Sequence, residues 1–313
     1  MIIHLDCPAQ GDIAFRRFTF PDGQPHIEFD AEVLRLAAAK GPIEMIGAIK
    51  SGGDLLNMAL AFDAVRSALP ESRPLSLNIS YLLGARMDRR IASGQPASLT
   101  IVAGIINSFT SGLAHVRVLD PHSSVLLAEL HRAAPLHPDT LIAYALSRLE
   151  HEEGKPPVVV IPDAGAVPRT TAILARLNAP HAVARCTKKR DSQTGKLSGF
   201  QLAEGDVAGR TAIIVDDICD GGGTFSGIAS VLREHGAQRV YLCVTHGIFS
   251  KGLAIAGIDG IFSTDSYATP VQADYDVSTD AVDDAILIYR LEEQTRLVLM
   301  TRFMERALQY LKV

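Results

Sequence analysis

The feature that most constrains the fold of this 313-residue chain is a regular alternation of short apolar runs with longer helical patterns. Short apolar runs bounded by turns are typical of buried strands, and parallel strands need long crossover connections, which are usually helices. We therefore expect strands at 43–49, 75–82, 115–120, 156–163, 211–217, 239–247 and 260–266. Helices are expected at 54–68, 98–111, 137–152, 168–178 and 223–235.

This alternation predicts an α/β protein with two doubly wound parallel-sheet domains, since 313 residues correspond to about two typical domains. The polar segment 149–157 interrupts the pattern before a second series of strands and helices begins. We expect a first domain over 1–142 and a second over 143–287. The amphipathic pattern near the end of the chain predicts a terminal helix over 288–313, packed back on the first domain.

Composition excludes several classes of protein. Apolar residues make up 47% and charged residues 21% of the chain, and the net charge of -5 argues against general nucleic-acid binding. No apolar run reaches the roughly 18 residues of a membrane helix, and the start has no secretory pattern. The cysteines are scattered without a CxxC pair, which favours reduced thiols in a cytoplasm: they are Cys7, Cys186, Cys219 and Cys243.

The segment AIIVDDICDGGGTFSGIASVLREHGA (212–237) carries the strongest functional signal. A buried strand delivers Asp216 and Asp217 to its carboxyl end, where paired carboxylates suit hydrogen bonds to the vicinal hydroxyls of a ribose. A glycine-rich loop then opens a helix, and converging backbone N–H groups with a helix N-terminus favour an anion. The loop consists of Asp220, Gly221, Gly222, Gly223 and Thr224. Together these features predict a site for a phosphorylated sugar.

A glycine run after a strand is often only a turn, but the arrangement VDDxxDxGGT is far more specific. It resembles the loop, usually written VDDxxDTGGT, with which type I phosphoribosyltransferases and phosphoribosyl pyrophosphate (PRPP) synthetases bind PRPP. Six further segments resemble PRPP synthetases in the order of that family: RRFTFPDGQ (16–24), YLLGARMDRR (81–90), SGQPASLTIVAGII (93–106), LDPHSS (119–124), IPDAGAVPR (161–169) and VTHGIFS (244–250). CTKKRD (186–191) stands where these enzymes carry their catalytic loop. The chain is therefore identified as resembling the ribose-phosphate pyrophosphokinases, with domains of the type I phosphoribosyltransferase kind.

The resemblance implies a magnesium-dependent transfer of the pyrophosphoryl group of ATP to the 1-hydroxyl of ribose 5-phosphate, giving PRPP and AMP. Charge accumulates on the transferring oxygens, and Lys188 and Arg190 are the residues expected to neutralise it. A charge run is more often a solvated loop. The nearby Ser192, Gly195 and Ser198 instead favour a loop that closes over phosphates.

The resemblance also implies the remaining ligand sites. His122 and Asp163 are the expected Mg²⁺ residues, although imidazole is an unusual ligand for this hard cation. The residues expected to border ATP are Phe20, Asp22, Gln24, Arg86, Met87 and Asp88. In relatives a neighbouring subunit supplies the phenylalanine-bearing loop, so a homo-oligomer is expected, at least a dimer.

Departures from the family pattern leave the acceptor open. Gly221 replaces the threonine of DTGGT and, by removing bulk, could admit a 5′-extended phosphoribose such as ADP-ribose, as in NAD metabolism. Met87 replaces a glutamine beside the expected adenine site. Two further alternatives remain: a catalytically silent regulatory homologue, and a phosphoribosyltransferase, which would leave the other family segments unexplained.

Overall fold

In the computed structural model the chain divides into two compact units, Met1–Leu136 and His137–Val313. The structure describes residues 1–6, 13–70, 72–112, 115–178, 181–190, 197–267, 278–283, 286–290, 296–300 and 303–304. No helix in these ranges is both long enough and apolar enough to cross a membrane.

The first unit contains a parallel sheet and a separate hairpin. Its strands are β1 (Ile2–His4), β2 (Phe15–Thr19), β3 (Pro25–Phe29), β4 (Ile43–Ile49), β5 (Leu75–Leu82), β6 (His115–Leu119) and β7 (Ala133–Leu136). Its helices are α1 (Ala31–Lys40), α2 (Gly52–Ala68), α3 (Ser98–Phe109) and α4 (Ser124–Glu129). Five strands pair in parallel in the order β1-β4-β5-β6-β7, while β2 and β3 pair with each other antiparallel.

The central strands of the first sheet are buried along their whole length. Every residue of β4 and β5 is buried, as expected for parallel strands covered on both faces. Helix α2 begins after Ser51, whose hydroxyl accepts the Asp54 N–H, and the Asp54 carboxylate accepts the Lys50 N–H in return. The cap satisfies the Asp54 N–H, one of the donors that the first helical turn leaves unpaired, and ties the residue before the cap to the helix.

The second unit is a larger mixed sheet with helices on both faces. Its strands are β8 (Val158–Ile161), β9 (Val183–Arg190), β10 (Leu197–Glu204), β11 (Thr211–Cys219), β12 (Arg239–Gly247), β13 (Gly260–Thr264), β14 (Ser278–Asp283), β15 (Ile286–Arg290) and β16 (Arg296–Met300). Its helices are α5 (Asp139–Glu153), α6 (Val167–Leu177) and α7 (Gly223–Glu234). The strand order is β10-β9-β8-β11-β12-β13-β16-β15-β14, with antiparallel pairs only at its ends.

Alternate residues of the central strands face different helices. Ile214 and Leu242 pack in one core cluster with Ile228 of α7. On the other face the Phe262 ring of β13 contacts Tyr144 of α5. The prediction of an α/β protein with doubly wound parallel sheets is confirmed. All the predicted strands and internal helices are present, with ends that differ by a few residues.

Two predictions about domain limits differ from the structure. The chain divides after Leu136 rather than after 142, because α5 begins at Asp139 and packs on β11, β12 and β13 of the second unit. The terminal helix is wrong where the structure describes its first part: residues up to Arg290 belong to β15, and Arg296–Met300 is a strand that pairs in parallel with Gly260–Thr264. The apolar run in this segment is compatible with a buried strand as well as with one face of a helix. Its pairing with the neighbouring strand β13 makes it a strand. Residues 291–295, 301–302 and 305–313 of the predicted helix lie outside the described part of the chain.

Candidate functional site

The predicted sugar-phosphate loop lies where the central strand of the second sheet ends. Strand β11 delivers Asp216 and Asp217 to its carboxyl end, which is where open α/β sheets bind ligands. Helix α7 begins at Gly223, and Gly222 before it adopts a left-handed conformation with φ of 74°. A side chain would be strained there, so the glycine allows the sharp turn from strand to helix.

The two carboxylates at the end of β11 differ in their surroundings. Asp217 is buried, and its backbone N–H donates to Oδ1 of the half-buried Asp216 at 3.0 Å. Burial and the adjacent Asp217 carboxylate raise the pKa of Asp216 well above its usual range, while the positive charge of Arg169 acts in the opposite direction. Arg169 also reaches the Thr245 hydroxyl of β12, with the two atoms 3.4 Å apart. The adjacent carboxyl groups of Asp216 and Asp217 favour ligands that donate hydrogen bonds.

The segment that follows β12, residues 248–255, holds the glycine loop in place; we call it the clasp. The backbone N–H groups of Ile248 and Phe249 both donate to the Cys219 carbonyl, at 2.8 and 3.2 Å. The Ser250 hydroxyl donates to Asp220 Oδ1 at 2.5 Å. The clasp therefore fixes the backbone on which Asp220 and the glycines are mounted.

Gly221 does not face open space. A Cβ placed on this glycine would lie 3.2 Å from Cδ and 3.3 Å from Cε of Lys251 in the clasp. The expectation that Gly221 leaves open space beside the 5′-phosphate is therefore wrong, because Lys251 fills that space. The space that a threonine would take is lined by the methylenes of a lysine that follows thirty residues later in the sequence.

The predicted catalytic segment is a strand hairpin rather than a free loop. Lys188 lies on β9, opposite Phe200 of β10, and Arg190 ends the strand. The Lys188 ammonium pairs with Asp163 Oδ2 at 2.7 Å. The connecting residues 191–196 and the side chain of Arg190 lie outside the described part of the chain.

The carboxylate of Asp163 is held in its ionised form. Burial alone would raise the pKa of Asp163, but the hydrogen bond and charge of Lys188 and the N–H groups of Ala166 and Gly165 lower it below the usual value. Asp163 Oδ1 accepts the Gly165 and Ala166 N–H groups at 2.9 and 3.2 Å, which caps the short 3-10 turn Ala164–Ala166. One of its oxygens is thus structural, and the other faces Lys188.

The hairpin packs on the helix that carries the glycine loop. The Phe200 ring lies against Gly227 of α7 so closely that a Cβ there would be 2.5 Å from it. Phe200 is the cross-strand neighbour of Lys188, so its contact with Gly227 helps to fix Lys188 relative to α7.

The predicted Mg²⁺ residues lie in different units: His122 follows β6 in the first, and Asp163 follows β8 in the second. Across the described ranges, no three His, Cys, Asp or Glu side chains converge as metal ligands. Mg²⁺ is usually bound by one or two carboxylates together with waters and substrate phosphates, so the ionised Asp163 fits it better than the imidazole of His122.

Two of the predicted segments meet in the first unit. A hydrogen bond from Arg89 lowers the pKa of Asp88, with smaller contributions from the nearby Ser123 and the charge of His122. The Arg89 guanidinium contacts both Asp88 oxygens, at 2.8 and 3.1 Å. The structure therefore brings together Asp88 and His122, which lie in the separate sequence segments 81–90 and 119–124. Arg86 beside them is exposed and Met87 half-buried.

The other predicted ATP residues form the tip of the β2–β3 hairpin. The Phe20 N–H donates to the Gln24 carbonyl at 2.8 Å, and the Gln24 N–H donates to Asp22 Oδ1 at 3.1 Å. Phe20 is 41% exposed, and its ring contacts that of Phe18 edge to face. A large aromatic side chain held at an exposed tip is available for contact with a ligand or another chain.

Three residues that contact this site were missed by the sequence reasoning. Arg169 lies in the segment 161–169, which was noted only as a whole, and its charge acts on Asp216. Ser250 ends the segment 244–250, which was likewise noted only as a whole, and Lys251 gave no signal because it is distant in sequence from the loop that it contacts.

The fold and loop define an α/β chain with a type I phosphoribosyltransferase domain, and the phosphoribosyl transferase domain family matches residues 129–273. Within that class the chain is homologous to ribose-phosphate pyrophosphokinases, which confirms the resemblance inferred from the sequence. It is 34% identical over 202 residues to the ribose-phosphate pyrophosphokinase of Cereibacter sphaeroides, covering 63% of this chain and 56% of that protein. It is 29% identical over 239 residues to that of Thermoplasma volcanium, covering 74% of this chain and 75% of the relative.

The chain thus spans little more than half of the first of these relatives. The crystal structure of phosphoribosylpyrophosphate synthetase from Mycobacterium smegmatis matches with a TM-score of 0.70 at 20% identity, covering 96% of this chain and 89% of that one. This similarity extends over both units and confirms the fold.

Proposed function

We propose that this protein transfers the pyrophosphoryl group of ATP to the 1-hydroxyl of ribose 5-phosphate, giving PRPP and AMP. The observation that carries the proposal is the Asp216–Asp217 pair at the end of β11, followed directly by the glycine loop that opens α7. Similarity to curated ribose-phosphate pyrophosphokinases supports the same reaction.

In this reaction the ribose O1 attacks the β-phosphorus of ATP. The bond from that phosphorus to the oxygen bridging the α- and β-phosphates breaks, AMP leaves with the bridging oxygen, and the hydroxyl proton passes to solvent. Asp216 and Asp217 accept hydrogen bonds from the ribose hydroxyls through their unprotonated oxygens, which a carboxyl group offers whether it is ionised or not. The backbone N–H groups of residues 221–224 bind the 5′-phosphate.

Lys188 neutralises charge on the transferring oxygens. Its ammonium already pairs with Asp163 at 2.7 Å, and a bound polyphosphate competes for the same cation. Asp163 is the carboxylate of this group that fits Mg²⁺, which when bound neutralises phosphate charge. Arg190 is proposed to act with Lys188 from the end of the same strand.

ATP binding is proposed for Phe20, Asp22 and Gln24 of the hairpin tip and for Arg86, Met87 and Asp88. The exposed Phe20 also supports the proposal that the protein assembles as a homo-oligomer, with this tip at a subunit contact.

The proposal is tested by incubating the protein with MgATP and ribose 5-phosphate and following AMP and PRPP by anion-exchange chromatography. Equal amounts of AMP and PRPP are expected. A parallel reaction with ADP-ribose tests the extended acceptor. AMP formation with neither acceptor would contradict the proposal and favour a catalytically silent homologue.

Lys188→Ala is expected to lower turnover by about 10²–10³, because a charge placed at the transition state is lost. Lys155→Ala, at an exposed lysine of the same unit, is the matched control and should retain the wild-type rate. Unchanged AMP production in both Lys188→Ala and Arg190→Ala would remove this strand from the mechanism.

A further inference from the structure

The clasp places the side chain of Lys251 beside the glycine loop, and the reaction described above gives this lysine no role. The backbone of the clasp is anchored to the end of β11 by two hydrogen bonds to the Cys219 carbonyl. The neighbouring Ser250 hydroxyl bonds Asp220, the first residue of the loop. Lys251 therefore projects from a segment whose position is set by the loop itself.

The Lys251 side chain lies along Gly221. Its Cγ, Cδ and Cε atoms are 3.5, 3.2 and 3.3 Å from the place where a Cβ of Gly221 would be. Three successive methylenes thus occupy the space that a side chain at position 221 would need, and the ammonium is one bond beyond the last of them. A lysine whose stem covers a surface in this way leaves its charged end at the edge of that surface, which here is the glycine loop.

The charge balance of the loop favours an anion at this ammonium. Within the described ranges, no carboxylate forms an ion pair with Lys251, whereas Asp220 is bonded to Ser250. The loop offers backbone N–H groups, and α7 adds the positive end of a helix dipole. A phosphate bound to these N–H groups would lie beside Gly221, along which the Lys251 side chain runs.

We propose that Lys251 is a specificity-determining residue that binds the phosphate at C5 of the ribose, an inference that rests on the proposed function. In the loops that this one resembles, a threonine stands at position 221 and contributes one hydroxyl. Here Gly221 leaves room for a side chain from the clasp, which contributes a full charge and three donors instead. The glycine is therefore an adaptation to the lysine rather than an open pocket.

The test compares ribose 5-phosphate with ribose, so that the phosphate is the only difference between the two ligands. Calorimetry with the wild type, Lys251→Ala and Lys251→Arg measures binding without chemistry, and steady-state rates with MgATP separate KM from kcat. Lys251→Ala is expected to weaken binding of ribose 5-phosphate and raise its KM about ten- to hundredfold, the effect of losing a hydrogen bond to a charged group. Its kcat should stay within about threefold. Lys251→Arg should restore most of the binding, and Lys155→Ala is the control.

A second variant tests the exchange of lysine for threonine. Gly221→Thr combined with Lys251→Ala replaces one phosphate partner by the other and should recover part of the lost affinity. Gly221 has no left-handed φ that would oppose a side chain, so the substitution is compatible with the backbone. The wild type, the two single Lys251 variants and the double variant are also assayed with ADP-ribose. An equal loss of affinity for both acceptors in Lys251→Ala means that the lysine binds the phosphate that they share, and a loss confined to ribose 5-phosphate means that it binds only a terminal phosphate.

The failures of the two proposals are distinguishable. If the wild type binds neither acceptor and forms no AMP, the proposed function is wrong. If the wild type binds ribose 5-phosphate and Lys251→Ala binds it equally well, the function stands and the role of Lys251 is wrong.

Discussion

Two aspartates of the second unit have their ionisation shifted in opposite directions, and each shift suits a different task. Asp163 has a lowered pKa because Lys188 and two backbone N–H groups outweigh its burial. Asp216 has a raised pKa because burial and Asp217 outweigh Arg169. An always-ionised carboxylate suits a cation partner. A carboxylate that is costly to ionise gains from a ligand that donates hydrogen bonds, as sugar hydroxyls do.

The raised pKa of Asp216 predicts that Asp216→Asn stabilises the protein without its substrate. The folded state resists ionisation, so the free-energy cost of the charge appears as pH rises above the unfolded pKa, near 3.9, and is complete above the folded pKa. The variant should exceed the wild type in unfolding free energy by about 1 kcal/mol or more at pH 8 and match it near pH 3. Urea unfolding at both pH values measures this, with the exposed Asp63→Asn as control. A lower stability at pH 8 would contradict the assignment.

At the scale of elements, the site is assembled by contacts between segments that are far apart in sequence. The β9–β10 hairpin meets α7 through Phe200 and Gly227, and the clasp meets the end of β11 through the Cys219 carbonyl. The first contact depends on a glycine inside a helix, where glycine is otherwise unfavourable by about 0.5–1 kcal/mol relative to alanine. The packing of the ring explains why the glycine is tolerated there.

Gly227→Ala is therefore expected to destabilise the protein by about 1–3 kcal/mol, because its Cβ would overlap the Phe200 ring. Turnover should fall as well, since Phe200 is paired with Lys188. Adding Phe200→Leu should recover part of both losses. Gly104→Ala in α3, where no atom lies within 4 Å of the new Cβ, should instead stabilise by about 1 kcal/mol. Thermal unfolding and AMP production measure these effects, and a Gly227→Ala protein as stable as the wild type would contradict the packing.

At the scale of the whole molecule, each unit has its own core. Ile3, Leu34 and Val65 belong to a cluster formed within the first unit, and Val160, Ile214 and Leu242 to one formed within the second. The first unit also buries a polar group across its sheet: Arg117 pairs with Glu44 at 3.1 Å, and Asn78 donates to the same carboxylate at 2.9 Å. Such a network is stable only when every member is satisfied.

Glu44→Ala should destabilise the first unit by about 3 kcal/mol, since it leaves the half-buried Arg117 without its carboxylate and with only Asn78 Oδ1, among the described residues, as an acceptor. Because the cores are separate, amide hydrogen exchange is expected to accelerate in β4, β5 and β6 and to change little in β11 and β12. Arg16→Ala, which removes a surface ion pair with Glu28, should alter neither set. Equal acceleration in both units would show that they unfold as one.

The sequence alone determined the alternating α/β pattern and predicted a sugar-phosphate site at one glycine loop, because both inferences depend on local order. Buried strands such as Ile43–Ile49 are apolar throughout, and the Asp216–Thr224 segment is continuous in the chain. Local patterns did not distinguish a helix from a strand at Arg296–Met300, since only pairing with Gly260–Thr264 settles it. Nor did they place Lys251 on Gly221, Arg169 beside Asp216 or Lys188 on Asp163. Each of these contacts joins residues whose separation in sequence says nothing about their distance, and only the tertiary structure brings them together.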